Sequence, residues 1–400
     1  MYKDNFSTTF STAKDFNDFL VEKENVTGRI AITVGNTKIW AGKTEVKNGE
    51  TVIKFTRLDS DCSFEKAYVF SPSTEQLDTV STYGTHLFIS VPTQYKKKLR
   101  FIPLSTAVHL SLANRSRASL HLNLNENFTA LDDGTESASV NPVALAKTFE
   151  DMMKLNSHKI QLIVVANKVI GIMSGRYASI PQSEIFTNIA EKALRADFQN
   201  ADLVFATYTH SECTARYDIK TDYSADGRTV SILVDVHDSP NGYKEVAIVP
   251  VYTTNNRHFF RFEDDGWSSP HIKISTTTIS DGIHDILPKL KDNAEGIIKM
   301  QNYTLKQPAY FVLKAIEELN KKAKHQGGTK IPDKIKDSIY NSVESQIAMG
   351  ICTKFSPMDI MEYILEEIEN NASAEDTSKN GQKKTLSRFV RLDLDKLDTI

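Results

Sequence analysis

The pattern that most constrains the fold is a change of hydrophobic periodicity along the chain. In the first 130 residues, short segments rich in β-branched and aromatic residues alternate with turn-like pieces such as Val34-Gly35-Asn36, which is typical of β-strands. These segments lie at 29–34, 37–40, 51–56, 67–70 and 86–91. In the last hundred residues the apolar positions follow helical spacing, which predicts helices at 310–325, 332–349 and 357–370. Strands and helices grouped in this way indicate an α+β fold.

The middle of the chain combines both patterns and sets the predicted domain boundaries. Asn141-Pro142 is a typical helix start, and helical spacing recurs at 183–196. Strand candidates lie at 159–172 (a strand or hairpin), 203–208, 229–237, 245–253 and 258–263. We therefore predict a β-rich N-terminal domain (1–130), an α+β core domain with a mostly antiparallel sheet (141–300) and a helical C-terminal region (301–370). Residues 371–400 are predicted to be a mobile linker and a short tail, because 371–384 are polar and contain few hydrophobic residues.

Composition excludes several classes of protein. The longest apolar runs, such as 160–166, are far shorter than the ~20 residues that cross a bilayer. The N-terminal residues lack the basic and apolar regions of a secretory signal. The three cysteines are widely spaced, which argues against a disulfide framework and favours a reducing compartment. We therefore expect a cytoplasmic protein that does not contact a membrane.

The overall charge of −3 conceals a segregation of charge along the chain. Residues 79–125 contain no Asp or Glu, whereas residues 201–300 contain 10 basic and 15 acidic side chains. The basic side chains of the acid-free window are Lys96, Lys97, Lys98, Arg100, Arg115 and Arg117. Such a cluster neutralises phosphates and predicts salt-sensitive binding of nucleic acid. The alternative interpretation is an edge strand that lysines protect from aggregation.

A second candidate for nucleic-acid binding lies at residues 255–262, with the sequence NNRHFFRF. On a strand, Arg257, Phe259 and Arg261 share one face, because side chains alternate with period two. An aromatic ring between two arginines can act as a platform on which bases stack. In the alternative interpretation, one aromatic row faces the core and the arginines pair with acids such as Glu263 or Asp264.

A third grouping has the residue types of a metal site. It consists of His210, Glu212 and Cys213 in THSEC, with Asp235 and His237 in DVHD. If these segments were neighbouring strands, two carboxylates and two imidazoles could converge on a divalent ion. The alternative is a solvated polar strand face, and no closely spaced motif such as CxxC supports the metal. We therefore assign no metal and no other cofactor, and keep His210, Asp235 and His237 only as the residues that such a site would use.

Motifs of the commonest enzymes are absent from the sequence. It contains no GxxxxGK[ST], GxGxxG, HExxH or GxSxG, which argues against the usual nucleotide-hydrolysing, zinc-protease and esterase sites. Catalytic residues are therefore left unassigned. Enzymatic activity stays open, and a non-enzymatic protein is favoured.

The most distinctive segment is GIMSGRYASIPQ at 171–182. It is predicted to be a strand that enters a small-residue turn, with Arg176 and Tyr177 at the tip. These two side chains either contact phosphate and stack on a base, or pin the loop onto the sheet. The longer stretch IGIMSGRYASIPQSEIF resembles the strand–turn–helix signature of the phage- and plasmid-like proteins of domain of unknown function 932.

Weaker similarity to this family continues downstream in the same order. VAIVPVYTTNNRHFFRFED with GWSSPHIKIS resembles its paired strands, and CTKFSPMDIMEYILEEIENNA resembles its C-terminal end. The resemblance covers roughly residues 140–400. It implies an origin on a mobile genetic element, but it implies no reaction and no catalytic residue.

Together these features favour a phage- or plasmid-encoded protein in the cytoplasm of a bacterial host. We expect it to bind single-stranded or recombining DNA, in the manner of annealing proteins, and to self-associate. The residues predicted to bind nucleic acid are Lys96, Lys97, Lys98, Arg100, Arg115, Arg117, Arg176, Tyr177, Arg257, Phe259 and Arg261. One alternative is a protein-interaction or assembly component, such as a counter-defence factor, whose helical C-terminal region recruits a host protein. A second alternative is a metal-dependent nuclease.

Overall fold

The computed structural model describes most of the chain. The described residues are 6–58, 64–69, 86–92, 99–104, 142–154, 157–165, 168–174, 177, 180–225, 228–241, 244–254, 259–272, 274–371, 373–374 and 376–399.

The described strands form three antiparallel sheets. The strands are β1 (Ser7–Phe10), β2 (Gly28–Thr33), β3 (Lys38–Lys47), β4 (Glu50–Leu58), β5 (Phe64–Val69), β6 (His86–Pro92), β7 (Leu99–Pro103), β8 (Lys159–Val165), β9 (Lys168–Ser174), β10 (Asp202–Thr209), β11 (Cys213–Ala225), β12 (Arg228–Asp238), β13 (Val246–Thr254), β14 (Phe259–Arg261) and β15 (Trp267–Ser269). A seven-stranded sheet has the order β1-β10-β11-β12-β13-β14, with β15 also pairing with β13. A three-stranded sheet has the order β2-β8-β9, and a five-stranded sheet has the order β5-β4-β3-β6-β7.

The described helices concentrate toward the C-terminus. They are α1 (Ala13–Val26), α2 (Pro142–Lys154), a π-helical segment (Glu184–Glu191) that continues into α3 (Lys192–Asp197), α4 (Thr276–Asn302), α5 (Pro308–Gln326), α6 (Asp333–Ala348), α7 (Pro357–Asn370), α8 (Asp376–Leu386) and α9 (Leu394–Leu397). Short 3-10 turns occupy Val34–Asn36, Glu263–Asp265 and Ser387–Arg391. Antiparallel sheets followed by a run of helices confirm the predicted α+β class.

The seven-stranded sheet has one face that packs against the helices and one face that carries a group of polar side chains. On β12, Val230, Ile232, Val234 and Val236 are fully buried in the core that the sheet shares with the helices. The alternate residues of β12 point to the opposite side, because side chains on a strand alternate between faces. We call this side the polar face and define it by Thr214, Arg216, Asp235, His237 and Arg261. The polar face therefore lies on the side of the sheet that the helical core does not cover.

The predicted boundary near residue 130 does not separate two units of structure. Strand β1 pairs with β10, and β2 pairs with β8, so both N-terminal strands belong to sheets of the predicted core domain. Conversely, α2 packs on the five-stranded sheet, where Glu150 accepts a hydrogen bond from Arg57 at 2.9 Å. Both side chains are almost completely buried. The N-terminal strands and the region from residue 142 onward thus share two sheets and a buried ion pair.

The predicted mobile linker at 371–384 is wrong for most of its length, because α8 begins at Asp376. After this helix, Arg388 is buried and donates hydrogen bonds to the carbonyl oxygens of Gln326 and Gly327. At the end of the chain, Asp398 accepts from the backbone N–H groups that precede α5. These contacts hold Arg388 and Asp398 of the described segment against the helical region.

Candidate functional site

A cleft of about 1380 Å³ lies beside the polar face. One wall is the end of the three-stranded sheet that contains the C-terminal ends of β2 and β9 and the N-terminal end of β8. A second wall is the polar face itself, and a third is formed by the segment after β15 together with α8. The lining residues are Val34, His158, Lys159, Ile160, Ser174, Tyr177, Glu212, His237, Lys244, Glu245, Ala247, Val249, Arg261, Pro270, His271, Ile272, Asn380, Gly381 and Lys384.

Cross-strand pairs between β11 and β12 contribute several side chains of the polar face. Arg216 stands directly opposite Asp235 in the register and donates two hydrogen bonds to its carboxylate, at 2.7 and 2.9 Å. Asp235 is only 1% exposed, so this bidentate pair stabilises a carboxylate that would otherwise be costly to bury. The charge of Arg216 is therefore compensated within the sheet.

The next pair along the same two strands is Thr214 and His237. Nδ1 of His237 lies 2.8 Å from the Thr214 hydroxyl oxygen, and Nε2 lies 2.5 Å from Nη2 of Arg261. A guanidinium can only donate hydrogen bonds, so Nε2 must be the acceptor and Nδ1 carries the proton. Because Arg261 is on β14 and His237 is on β12, the arginine side chain crosses the polar side of the intervening strand β13.

His237 is neutral at physiological pH. Burial lowers its pKa, and the neighbouring Arg261 lowers it further, to about 4. Asp235 and Glu212 favour the protonated ring, but their oxygens are 4.0 and 3.9 Å from its nitrogens and do not overcome the burial. Protonation would also place a proton on Nε2 directly against the guanidinium.

The charged side chains around the cleft are mainly basic. The described lining residues include four cations (Lys159, Lys244, Arg261 and Lys384) and two carboxylates (Glu212 and Glu245). Lys244 forms an ion pair with Glu212 at 2.7 Å, in which both side chains are well exposed. The lining thus contains more lysine and arginine than carboxylate side chains, in a chain whose total charge is −3.

The lining of the cleft also contains a stacked aromatic pair. The rings of Tyr177 and His271 are 4.7 Å apart and inclined by 28°, and Tyr177 forms an isolated bridge with Ile272. His271 is buried, and its Nε2 lies 2.9 Å from Asp238 Oδ1, although the two groups are not aligned for a hydrogen bond. Burial and the charge of Asp238 raise the pKa of the Tyr177 hydroxyl, which therefore stays protonated.

Gly171 explains part of the distinctive segment at 171–182. A Cβ atom at this position would lie 2.8 Å from the Asn241 carbonyl oxygen and 2.9 Å from the Asn241 Cα. Strand β9 therefore passes against the connection between β12 and β13, and only glycine permits this approach. The contact joins the three-stranded sheet to the polar face and so helps to set the width of the cleft.

The structure brings only some of the predicted nucleic-acid residues together. Arg261 and Tyr177 both line the cleft. Arg100 is exposed on β7, which ends the five-stranded order and so agrees with the edge-strand interpretation. For Phe259 only the backbone is described, at the start of β14. Lys96, Lys97, Lys98, Arg115, Arg117, Arg176 and Arg257 lie outside the described residues.

The grouping considered for a metal is not assembled. The THSEC segment is a turn between β10 and β11 and not a strand, since β10 ends at Thr209. His210 stacks on Phe6 at 4.7 Å beside the core residue Tyr208, whereas Asp235 and His237 belong to the polar face. Within the described part of the chain, no three His, Cys, Asp or Glu side chains are arranged to hold a metal ion.

Three lysines of the cleft were not predicted from the sequence. Lys159 starts β8, Lys244 precedes β13 and Lys384 lies on α8. They are widely separated along the chain, and none belongs to a recognisable motif; Lys384 merely follows another lysine, Lys383. No local signal therefore distinguishes them from ordinary surface lysines.

No family model matches the chain, and no curated protein or solved structure matches it. The resemblance to the phage- and plasmid-like family therefore has no support beyond the residues that suggested it. Among the described helices, none has both the length and the apolar character needed to cross a bilayer.

Proposed function

We propose that the protein binds single-stranded nucleic acid, with DNA as the favoured form, in the cleft beside the polar face. The observation that carries this proposal is a large cleft whose lining includes Lys159, Arg261 and Lys384 together with the ring of Tyr177, which stacks on His271. Proteins that bind single strands combine a positively charged groove for the backbone with aromatic side chains for the bases.

The size of the cleft favours an extended ligand. Sites for small molecules typically measure about 300–1,000 Å³. At about 1380 Å³ this cleft is larger, and its cations are distributed over three walls rather than focused on one point. Distributed cations suit a chain of phosphates better than a single phosphate group. The proposal retains the hypothesis of a phage- or plasmid-encoded, annealing-like protein in the bacterial cytoplasm.

Salt dependence is the first test. If Lys159, Arg261 and Lys384 each contact one phosphate, the slope of log K against log salt should be about −2 for a single strand. Raising the salt from about 50 to about 200 mM should then weaken binding about 20-fold. The measurement is fluorescence anisotropy with a labelled oligothymidylate. Absence of binding at low salt would overturn the proposal.

Charge reversal locates the binding surface. Lys159→Glu combined with Lys384→Glu should weaken oligothymidylate binding by about tenfold or more, since two phosphate contacts become repulsive. The matched control is Lys291→Glu with Lys321→Glu, which makes the same change of net charge at exposed positions on α4 and α5. Equal weakening by both pairs would show that only the total charge matters, which contradicts a specific cleft.

The acid-free window can be tested in parallel. Lys96→Glu with Lys98→Glu alters the other predicted basic surface, which lies outside the described residues. If this pair abolishes binding while the cleft pair has no effect, the window is the binding surface and the cleft is not.

A second candidate function, self-assembly, is favoured by an apolar surface on the helical region. Tyr310, Ile347, Met349 and Ile351 are large hydrophobic side chains with 40% or more of their area exposed near the end of α6. Exposed apolar patches commonly mark protein interfaces. Sedimentation velocity at increasing concentration tests this function with Met349→Lys and Ile351→Lys. An oligomer that the substitutions dissociate supports assembly, and a monomer at every concentration contradicts it.

A further inference from the structure

The polar face holds its two described arginines in chemically different ways. Arg216 is fixed by the carboxylate of Asp235, and a bidentate ion pair of this kind compensates the positive charge. Arg261 is instead fixed by the ring nitrogen of His237 at 2.5 Å. A neutral imidazole orients a guanidinium through its lone pair without itself adding a negative charge.

The hydrogen-bond directions along this chain of residues are determined. Arg261 donates to Nε2 of His237, and Nδ1 of His237 donates to the Thr214 hydroxyl at 2.8 Å. Thr214 and His237 are opposite each other in the β11–β12 register, so the backbone ladder fixes the position of the ring. The ring in turn fixes one end of the guanidinium, while Arg261 as a whole remains exposed in the cleft.

We infer that His237 is a positioning residue, which holds the Arg261 guanidinium across β13 in the orientation that receives a phosphate of the bound strand. This inference rests on the proposed function, because it names the phosphate contact made in the same cleft. A guanidinium carries five N–H donors in a planar fork that matches phosphate geometry. Because the guanidinium is already oriented before the ligand binds, the side chain loses less conformational entropy on binding.

The electrostatic environment of His237 supports this role. Its low pKa, about 4, keeps the ring in the accepting form over the whole neutral range. The carboxylates nearest to the ring, Asp235 and Glu212, are engaged with Arg216 and Lys244. His237 is thus held beside the guanidinium as a neutral acceptor.

Two amide substitutions at His237 separate its two hydrogen bonds. In His237→Gln the side-chain oxygen reaches the place of Nε2 and can still accept from Arg261. In His237→Asn the shorter amide reaches the place of Nδ1, near Thr214, and no longer supplies the acceptor for Arg261. We expect the Gln variant to bind oligothymidylate within about twofold of the wild type and the Asn variant to bind about three- to tenfold more weakly.

The salt slope identifies the mechanism of the loss. The Asn variant keeps the charge of Arg261, so its slope of log K against log salt should equal that of the wild type. Arg261→Ala removes one phosphate contact and should reduce the slope by about 0.7. In the Arg261→Ala background, His237→Asn should have no further effect on binding. A role of His237 in stability alone would not produce this pattern.

A separate measurement tests the pair without nucleic acid. Nitrogen NMR of the imidazole should show the proton on Nδ1 in the wild type and a shift toward the Nε2 form in Arg261→Ala. If the wild type binds oligothymidylate but the Asn variant binds equally well, or if the proton is on Nε2 in the wild type, this inference is overturned and the proposed function stands. If the wild type does not bind at low salt, the proposed function and the inference both fail.

Discussion

The buried imidazole of His237 predicts a specific loss of stability in acid. Its pKa is about 4 in the folded protein and about 6.5 in a model peptide. At a pH between these two pKa values, the imidazole is protonated in the unfolded chain and neutral in the folded protein, so a fall in pH favours unfolding. The contribution of the neutral imidazole to the free energy of unfolding begins to be lost as the pH falls through about 6.5. The loss levels off below about pH 4.

The size of the effect follows from the difference of about 2.5 pKa units. One unit corresponds to about 1.4 kcal/mol, so the full loss is about 3 kcal/mol and about 2 kcal/mol is lost by pH 5. The side chain is 14% exposed, and solvent therefore screens this interaction only weakly. His237→Gln cannot titrate, so it lacks this contribution while it keeps an acceptor for Arg261.

The assay is urea unfolding of both proteins at pH 8 and pH 5, with the free energy of unfolding taken from each transition. Other titrating groups are common to both proteins and cancel in the comparison. We expect the wild type to lose about 2 kcal/mol more than His237→Gln between the two pH values. Equal losses, or an NMR titration of His237 with its midpoint near 6.5, would refute the reasoning.

Three further substitutions test buried contacts of the fold. Glu150→Gln should lower the free energy of unfolding by about 3 kcal/mol in urea unfolding, because it leaves the buried Arg57 charge without its carboxylate. Gly171→Ala should lower the thermal midpoint and cost about 1–3 kcal/mol, because its methyl group would overlap the Asn241 backbone. Asp398→Ala should cost about 1 kcal/mol in urea unfolding, because two backbone N–H groups at the start of α5 lose their acceptor.

Matched substitutions serve as controls for these three. Glu45→Gln removes the carboxylate of a partly exposed pair with Lys54 and should change stability by less than about 1 kcal/mol. At Gly28 the nearest atoms would be at 3.7 Å from a new Cβ, so Gly28→Ala should be tolerated. Thr399→Ala changes an exposed residue beside Asp398 and should have little effect. Equal effects at any test position and its control would contradict the stated cause.

Local sequence signals predicted the elements whose ends are set by capping or turn residues close to them in the sequence. Helix α7 was predicted at 357–370 and occupies Pro357–Asn370, because Ser356 and Asp359 form a reciprocal cap and Pro357 takes the first helical position. The hairpin of β8 and β9 follows in the same way from two apolar runs around a short turn. In both cases the residues that decide the structure are neighbours in sequence.

Other elements depend on distant contacts and were missed. Strand β11 contains the charged residues Asp218, Lys220 and Asp222 around an irregularity of its register, which hides the alternation of its buried side chains. Helix α8 has little apolar surface, yet it packs where a Cβ on Gly381 would meet Thr329 at 2.1 Å. Such a helix is stabilised by tertiary packing and has no pattern that a sequence can display.

For the candidate site, residue types and local contexts led to the prediction of nucleic-acid contacts at Arg261 and Tyr177, and both residues line the cleft. Which cations share one cleft depends on the packing of the folded chain, since Lys159, Lys244 and Lys384 come from distant parts of the sequence. This packing also decided the partner of His237: an arginine two strands away instead of a metal ion. The chemistry of a residue and its local conformation depend on nearby sequence. Which distant side chains meet in one cleft, and which of them pair, depends on how the sheets pack, and no local sequence pattern specifies that packing.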